Sequence, residues 1–192
     1  MKRRTVLPAQ FFKRPTLKVA RDLLGKFLIH KFQGKNIARM VTEVEAYDGF
    51  RDKASHAYRG KTERNKYMFG RAGTWYVYFT YGMHWMLNVV TGNEGYPAAV
   101  LIRGVTGFAG PARLTKFLKI DKKYTSKPAD KKNGLWIEDR GVKIKNSEIL
   151  CVSRIGVEYA KEWAKKPYRF IIKIYNERNK KTPFENRKNF SA

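Results

Sequence analysis

The stretch 26-KFLIHKFQGKNIARMVTEVEAY-47 decides the fold. Two runs rich in β-branched and aromatic residues, 26–32 and 36–47, flank Gln33-Gly34-Lys35. Such a break between apolar runs predicts a β-hairpin. In the second run, period-two alternation places Val41, Glu43, Glu45 and Tyr47 on one face of a strand. Two carboxylates beside an aromatic ring are unusual on a core-facing strand. They fit a surface strand whose acids pair with Lys or Arg, a general base held at a pocket wall, or a two-carboxylate magnesium site.

Upstream, Pro15 followed by TLKVARDLLG predicts a short helix with Leu17, Ala20, Leu23 and Leu24 on one stripe and Gly25 at its end. Downstream, residues 48–72 are polar, charged and glycine-bearing, as expected of a long functional loop. The segment 75-WYVYFTYGMHWMLNVV-90 predicts a second, aromatic hairpin turning near Gly82. Next come a buried strand, 98-AAVLIR-103, and a helix opened by Pro111. A lysine-rich loop follows over 121–133, then a helix over 157-VEYAKEWAKK-166 and a strand in 168-YRFIIKI-174. Together these predict an α+β fold over residues 1–175. It is a single domain with a largely antiparallel curved sheet, a protruding β-hairpin and flanking helices. A basic, flexible tail is expected over 176–192.

The 192 residues carry 41 Lys and Arg against 16 Asp and Glu, a net charge of +25. A field of that sign favours a polyanion, nucleic acid above all. The charge is uneven. Residues 1–40 hold eleven basic side chains and one acid, whereas 41–112 hold eight and six. Basic flanks suited to a phosphate backbone thus surround a nearly neutral centre with another task. The lone Cys151 excludes an intrachain disulfide and a multi-cysteine metal site, and the three histidines have no zinc-ligand spacing. No apolar run is long enough to span a membrane, and the basic start lacks the apolar stretch of a signal peptide. An intracellular monomer without metal or cofactor, in the cytoplasm or nucleoid (or a nucleus), is the expectation. Tyr81 and Met83, near the tip of the aromatic hairpin, could stack on or wedge between bases. Ordinary packing in an aromatic sheet is the alternative.

The blocks ARDLLGKFL, VTEVEAYDG, ASHAYRG, RNKYMFGRAGTWYVYFTYGMHWMLNVV, AAVLIR, GPARLTKFL and SRIGVEYAKEWAKKPYRF occur in this order between about Phe11 and Phe170. In them the sequence resembles the alkyladenine (3-methyladenine) DNA glycosylases of the mammalian and bacterial type. The resemblance implies a monofunctional enzyme that flips an alkylated or deaminated purine out of double-stranded DNA and hydrolyses its N-glycosidic bond. It implies Glu45 as the base that activates water, with Arg103 and the backbone carbonyl of Ile155 holding that water. It further implies a base pocket of Tyr47, His56, Tyr78 and Asn88, Tyr81 as the minor-groove wedge, and Met83 as its DNA-contacting neighbour. Two departures stand out. Only GVTGFA, 104–109, separates the AAVLIR and GP blocks, where the family carries a longer segment, and His84 stands where an aromatic residue is expected. A non-catalytic nucleic-acid-binding protein would explain the charge but not the Glu43–Glu45–Tyr47 face. A magnesium nuclease would use Glu43 and Glu45 as ligands.

Overall fold

A computed structural model describes residues 4–176. Its strands are β1 (Thr5–Val6), β2 (Phe27–Phe32), β3 (Lys35–Asp48), β4 (Trp75–Thr80), β5 (His84–Val90), β6 (Ala98–Val105), β7 (Phe108–Ala109), β8 (Leu135–Asp139), β9 (Ile149–Val152) and β10 (Arg169–Ile172). Its α-helices are α1 (Ala9–Phe12), α2 (Thr16–Leu23) and α3 (Pro111–Phe117). The main strand path runs β1-β8-β2-β3-β6-β5-β4, with β10 joined to β3 and β9, and every pairing is antiparallel. The architecture is the α+β, curved antiparallel one expected.

β3 organises the sheet. Its first half, Lys35–Met40, pairs with β2 across a turn in which Gln33 and Gly34 both take positive φ, 47° and 77°. Two left-handed residues in succession match the right-handed twist of the flanking strands. Its second half lies between β6 and β10, so Glu45 faces Leu101 on one side and Arg169 on the other. The alternation expected along β3 breaks once. A register shift leaves Thr42 without a β6 partner, and Val41 joins Val44 and Ala46 in the main core instead of sharing the Glu43–Glu45–Tyr47 face. A compensating shift leaves Arg103 unpaired on β6. Bulges of this kind twist strands locally and re-aim side chains, often beside functional sites.

The core lies between the sheet and the helices. From α2, Val19, Ala20 and Leu23 are fully buried, and Leu114 of α3 is likewise buried. The buried Trp75 donates its Nε1–H to the Leu135 carbonyl at 3.0 Å, which satisfies its one polar group. Pro111 occupies the first turn of α3, where a missing N–H costs nothing.

Residues 157–166 do not form the expected α-helix. They make two 3-10 turns over Glu158–Lys165, interrupted at Lys161 (φ 52°, ψ −123°). Tertiary anchors override the helical spacing. Val157 and Ala160 pack on Ala54, and the Tyr159 hydroxyl donates to the Ala54 carbonyl at 3.0 Å. The Trp163 carbonyl accepts from Arg154. Of the expected 176–192 tail, residues 177–192 lie outside the described ones.

Candidate active site

Glu45 has no solvent exposure. Its Oε1 accepts the Ile155 backbone N–H at 2.9 Å, and its Oε2 accepts the Tyr47 hydroxyl at 2.9 Å. Arg103 Nη1 lies 3.3 Å from Oε2. Burial pushes the Glu45 carboxyl pKa upward, and this outweighs the opposing pull of Arg103, the Ile155 amide and the Tyr47 hydroxyl. For Arg103 the balance differs. Burial lowers its pKa, but the charges of Glu45 and Glu43 overcome burial and raise it. The result is a desolvated, basic carboxylate with a fixed cation beside it. That combination suits a general base or the stabilisation of a positively charged sugar.

Next to it, Tyr47, His56, Met68, Tyr76, Tyr78 and Asn88 line a narrow pocket with a cavity volume of about 10 Å3. All four residues expected to form the base pocket meet here. Glu45 and Arg103 do not line it, and Tyr47, with its hydroxyl on Glu45, is the link. His56 packs edge-on to Tyr78, ring centroids 4.7 Å apart, and its Nδ1 meets the Tyr76 hydroxyl at 3.3 Å. The His56 residue is exposed, but its ring lies against these tyrosines. Burial there, helped by the Arg64 charge, lowers its pKa to about 4, so the imidazole is neutral at pH 7. Burial likewise drives the Tyr76 and Tyr78 hydroxyls upward, keeping them protonated. Asn88 Nδ2 donates to the Tyr76 carbonyl at 3.0 Å and the Met86 carbonyl at 3.2 Å. Its amide group is therefore fixed by the β4–β5 hairpin itself, the registered pair being Tyr76 and Asn88.

That hairpin continues three residues beyond Tyr78 to Tyr81, about 10 Å of strand. Tyr81 is 80% exposed and Met83 67%. Tyr81 and Gly82 both have positive φ, 51° and 64°, and the Met83 N–H closes the turn onto the Thr80 carbonyl at 3.1 Å. A left-handed conformation costs a non-glycine residue about 1–2 kcal/mol. The tip thus holds a large apolar ring in water on a strained backbone, and neither feature serves the core.

Sequence reasoning missed the group that braces this site. Arg154 and Asp52 form a doubly hydrogen-bonded pair at 2.5 and 2.8 Å, with no exposure of either side chain. Arg154 also donates to the Ala46 carbonyl and stacks over the Tyr47 ring, 4.9 Å to its centroid. It ties the His56 loop to β3 and to the segment that presents Ile155. Arg154 lies within the SRIG block, and its pairing with an acid 102 residues earlier has no signature in spacing. The Ile155 backbone N–H, assigned no role from the sequence, is the group that the structure places on Glu45. For the magnesium reading, both Glu45 oxygens and Glu43 Oε1 are already engaged by protein donors. Among the described residues no set of three or more acids, histidines or cysteines converges on a metal position. No helix among them is long and apolar enough to cross a membrane.

Comparison with known proteins shows the family. The model of the methylpurine-DNA glycosylase family matches residues 10–109 and 106–176. The two matched parts overlap at 106–109, in the short segment between the AAVLIR and GP blocks. A protein of Methanocella arvoryzae is 42% identical over 188 residues, covering 88% of this chain and 92% of its own. One from Wolbachia pipientis subsp. Culex pipiens is 44% identical, covering 82% and 86%. Another from Carboxydothermus hydrogenoformans is 41% identical, covering 88% and 95%. Each of the three bears the name "Putative 3-methyladenine DNA glycosylase". The chain belongs to the methylpurine-DNA glycosylase family, enzymes of base-excision repair that hydrolyse N-glycosyl bonds.

Proposed function

We propose that this protein is a monofunctional glycosylase acting inside the cell, as a monomer, on double-stranded DNA. It excises alkylated or deaminated purines of the 3-methyladenine, 7-methylguanine, hypoxanthine and ethenoadenine class. The observation that carries this reading is the buried Glu45, held by Tyr47, Arg103 and the Ile155 amide beside an aromatic pocket.

A stacked base hides its glycosidic bond, so the nucleotide must leave the helix at a cost of a few kcal/mol. Tyr81, with Met83 beside it, enters the minor groove and fills the gap. The flipped purine lies between Tyr47, His56 and Tyr78, whose rings favour electron-poor and cationic bases. Alkylated purines such as 3-methyladenine are cationic and depart readily, whereas neutral hypoxanthine needs protonation to leave. Departure generates an oxocarbenium-like sugar. Glu45 stabilises that charge and takes a proton from the attacking water, which Arg103 and the Ile155 carbonyl orient. The hydroxyl oxygen bonds to C1′, the C1′–N bond breaks, and the free base and an abasic site result. Among the described residues no lysine lines the pocket to form a Schiff base, which supports an intact strand.

The test is a set of duplexes, each with one hypoxanthine, ethenoadenine, 7-methylguanine or 3-methyladenine, incubated in excess EDTA. Strand breaks that appear only after alkali support the reading. Breaks before alkali, covalent trapping by borohydride, or loss of activity in EDTA contradict it.

A further inference from the structure

Glu43 shares the face of Glu45, yet the proposed chemistry gives it no task. Its Oε1 accepts Arg103 Nε at 3.1 Å and Arg169 Nη1 at 3.1 Å. Arg169 reaches it from β10, where it sits opposite Glu45 in register. Four charges therefore alternate in the order Arg169, Glu43, Arg103 and Glu45, with side-chain exposures of 19, 10, 11 and 0%. Burying four charges is tolerable only as a balanced, hydrogen-bonded set. The backbone is shaped around this row. The paired register shifts on β3 and β6 bracket Glu43 and Arg103. A Cβ added at Gly104 would meet Glu43 Cβ at 3.1 Å and Thr42 Oγ1 at 3.2 Å, so the close approach favours glycine.

We propose that Glu43 and Arg169 are positioning residues for the hydrolysis: Arg169 anchors Glu43, and Glu43 holds the Arg103 guanidinium off a two-bond pairing with Glu45. This rests on Glu45 being the general base. A free guanidinium beside a buried carboxylate tends toward a fork with two parallel bonds. Here Arg103 offers Glu45 one contact of 3.3 Å, because its Nε is bonded to Glu43. A full fork would lower the basicity of Glu45 and turn the arginine away from the water. Arg169 supplies the second positive charge, so Glu43 does not draw Arg103 away altogether. The other groups around Glu45 are the hydroxyls of Tyr47 on β3 and Tyr78 on β4, and Arg154 with the Ile155 amide from the segment after β9. None of the three substitutions below changes them directly.

The measurement is single-turnover excision of hypoxanthine from a duplex across pH for wild type, Glu43→Gln, Arg169→Gln and Arg169→Lys, with melting temperatures beside it. Glu43→Gln releases Arg103 toward Glu45, so the acid limb moves down by about one pH unit. The maximal rate falls about tenfold while the half-saturating enzyme concentration stays put. Arg169→Gln moves the acid limb up, and Arg169→Lys returns it to the wild-type position. Limbs that do not move, or that move in the same direction, overturn the proposal. So do rate losses that merely follow melting temperature. If Arg169→Gln does not fold, Glu43→Gln, which keeps the side-chain shape, decides by its own limb. A wild type that excises nothing would instead defeat the catalytic reading of Glu45, a result separable from unmoved limbs in active variants.

Discussion

Replacing Tyr81 with glycine separates a wedge from a packing aromatic, because the two predict opposite outcomes for stability. The side chain is 80% exposed, so truncation removes little buried area. A buried aromatic would cost about 3–5 kcal/mol on truncation. Tyr81 also sits at φ 51°, and glycine relieves about 1–2 kcal/mol of left-handed strain. Against that stands about 0.5–1 kcal/mol of added unfolded-chain freedom. The net change runs from about zero to about 1.5 kcal/mol in favour of glycine, a melting rise of roughly 6 °C at most for a chain of this size. Binding should respond differently. A stacked aromatic contributes about 1–3 kcal/mol per base, so flipping should weaken roughly 5–150-fold. The salt slope on undamaged duplex should be unchanged, since the lost ring carries no charge. Calorimetry, salt titration and ethenoadenine fluorescence measure the three quantities. A large melting loss, with proportional weakening on damaged and undamaged duplexes, would refute the wedge.

Asp52→Asn breaks a fully buried ion pair and leaves Arg154 uncompensated, a loss of about 3–5 kcal/mol. Melting should fall by roughly 10 °C, and a fall of only a degree or two would contradict the bracing role. Asn88→Ala removes the amide fixed beneath the pocket and should narrow the preference for hypoxanthine over guanine-type bases by roughly tenfold. Unchanged relative excision rates would count against it. His56 has its folded pKa, about 4, below the usual 6.5. Its contribution to stability is therefore present above pH 6.5 and is lost as pH falls toward 4. His56→Gln should flatten the pH dependence of melting across that window, and an unchanged slope would show that the ring is not desolvated.

Much of the fold was legible because it is carried by local signals. The Gln33-Gly34 turn, the aromatic β4–β5 run, Pro111 and the apolar 98–103 strand each declare their element from adjacent residues. The short strands β1, β7, β8 and β9 do not, since two to five residues show no period before a partner is known. The 157–166 segment misled for the converse reason. Its helical spacing is real, but Ala54 and Arg154 hold it in 3-10 turns. At the site, the carboxylate face on β3 came from period-two alternation, except at Val41, where the bulge shifts the phase. Tyr47, His56, Tyr78 and Asn88 line one pocket together with Tyr76 and Met68, and the last two were not singled out. The pairings Asp52–Arg154 and Glu43–Arg169 span more than 100 residues and exist only in three dimensions.

The most direct test of the account is single-turnover excision by Glu45→Gln on a lesion the wild type removes. Gln keeps the shape of the side chain but cannot accept the proton, so excision should slow by about 10²–10⁴, with lesion-duplex affinity close to wild type. The pKa of Glu45 is raised in the folded protein, so its favourable contribution to stability is present below the usual glutamate value and lost as pH rises through the folded one. Melting temperature, measured beside the rates, shows that the Gln variant is folded under the assay conditions. Excision near the wild-type rate in a well-folded Glu45→Gln protein would contradict the account.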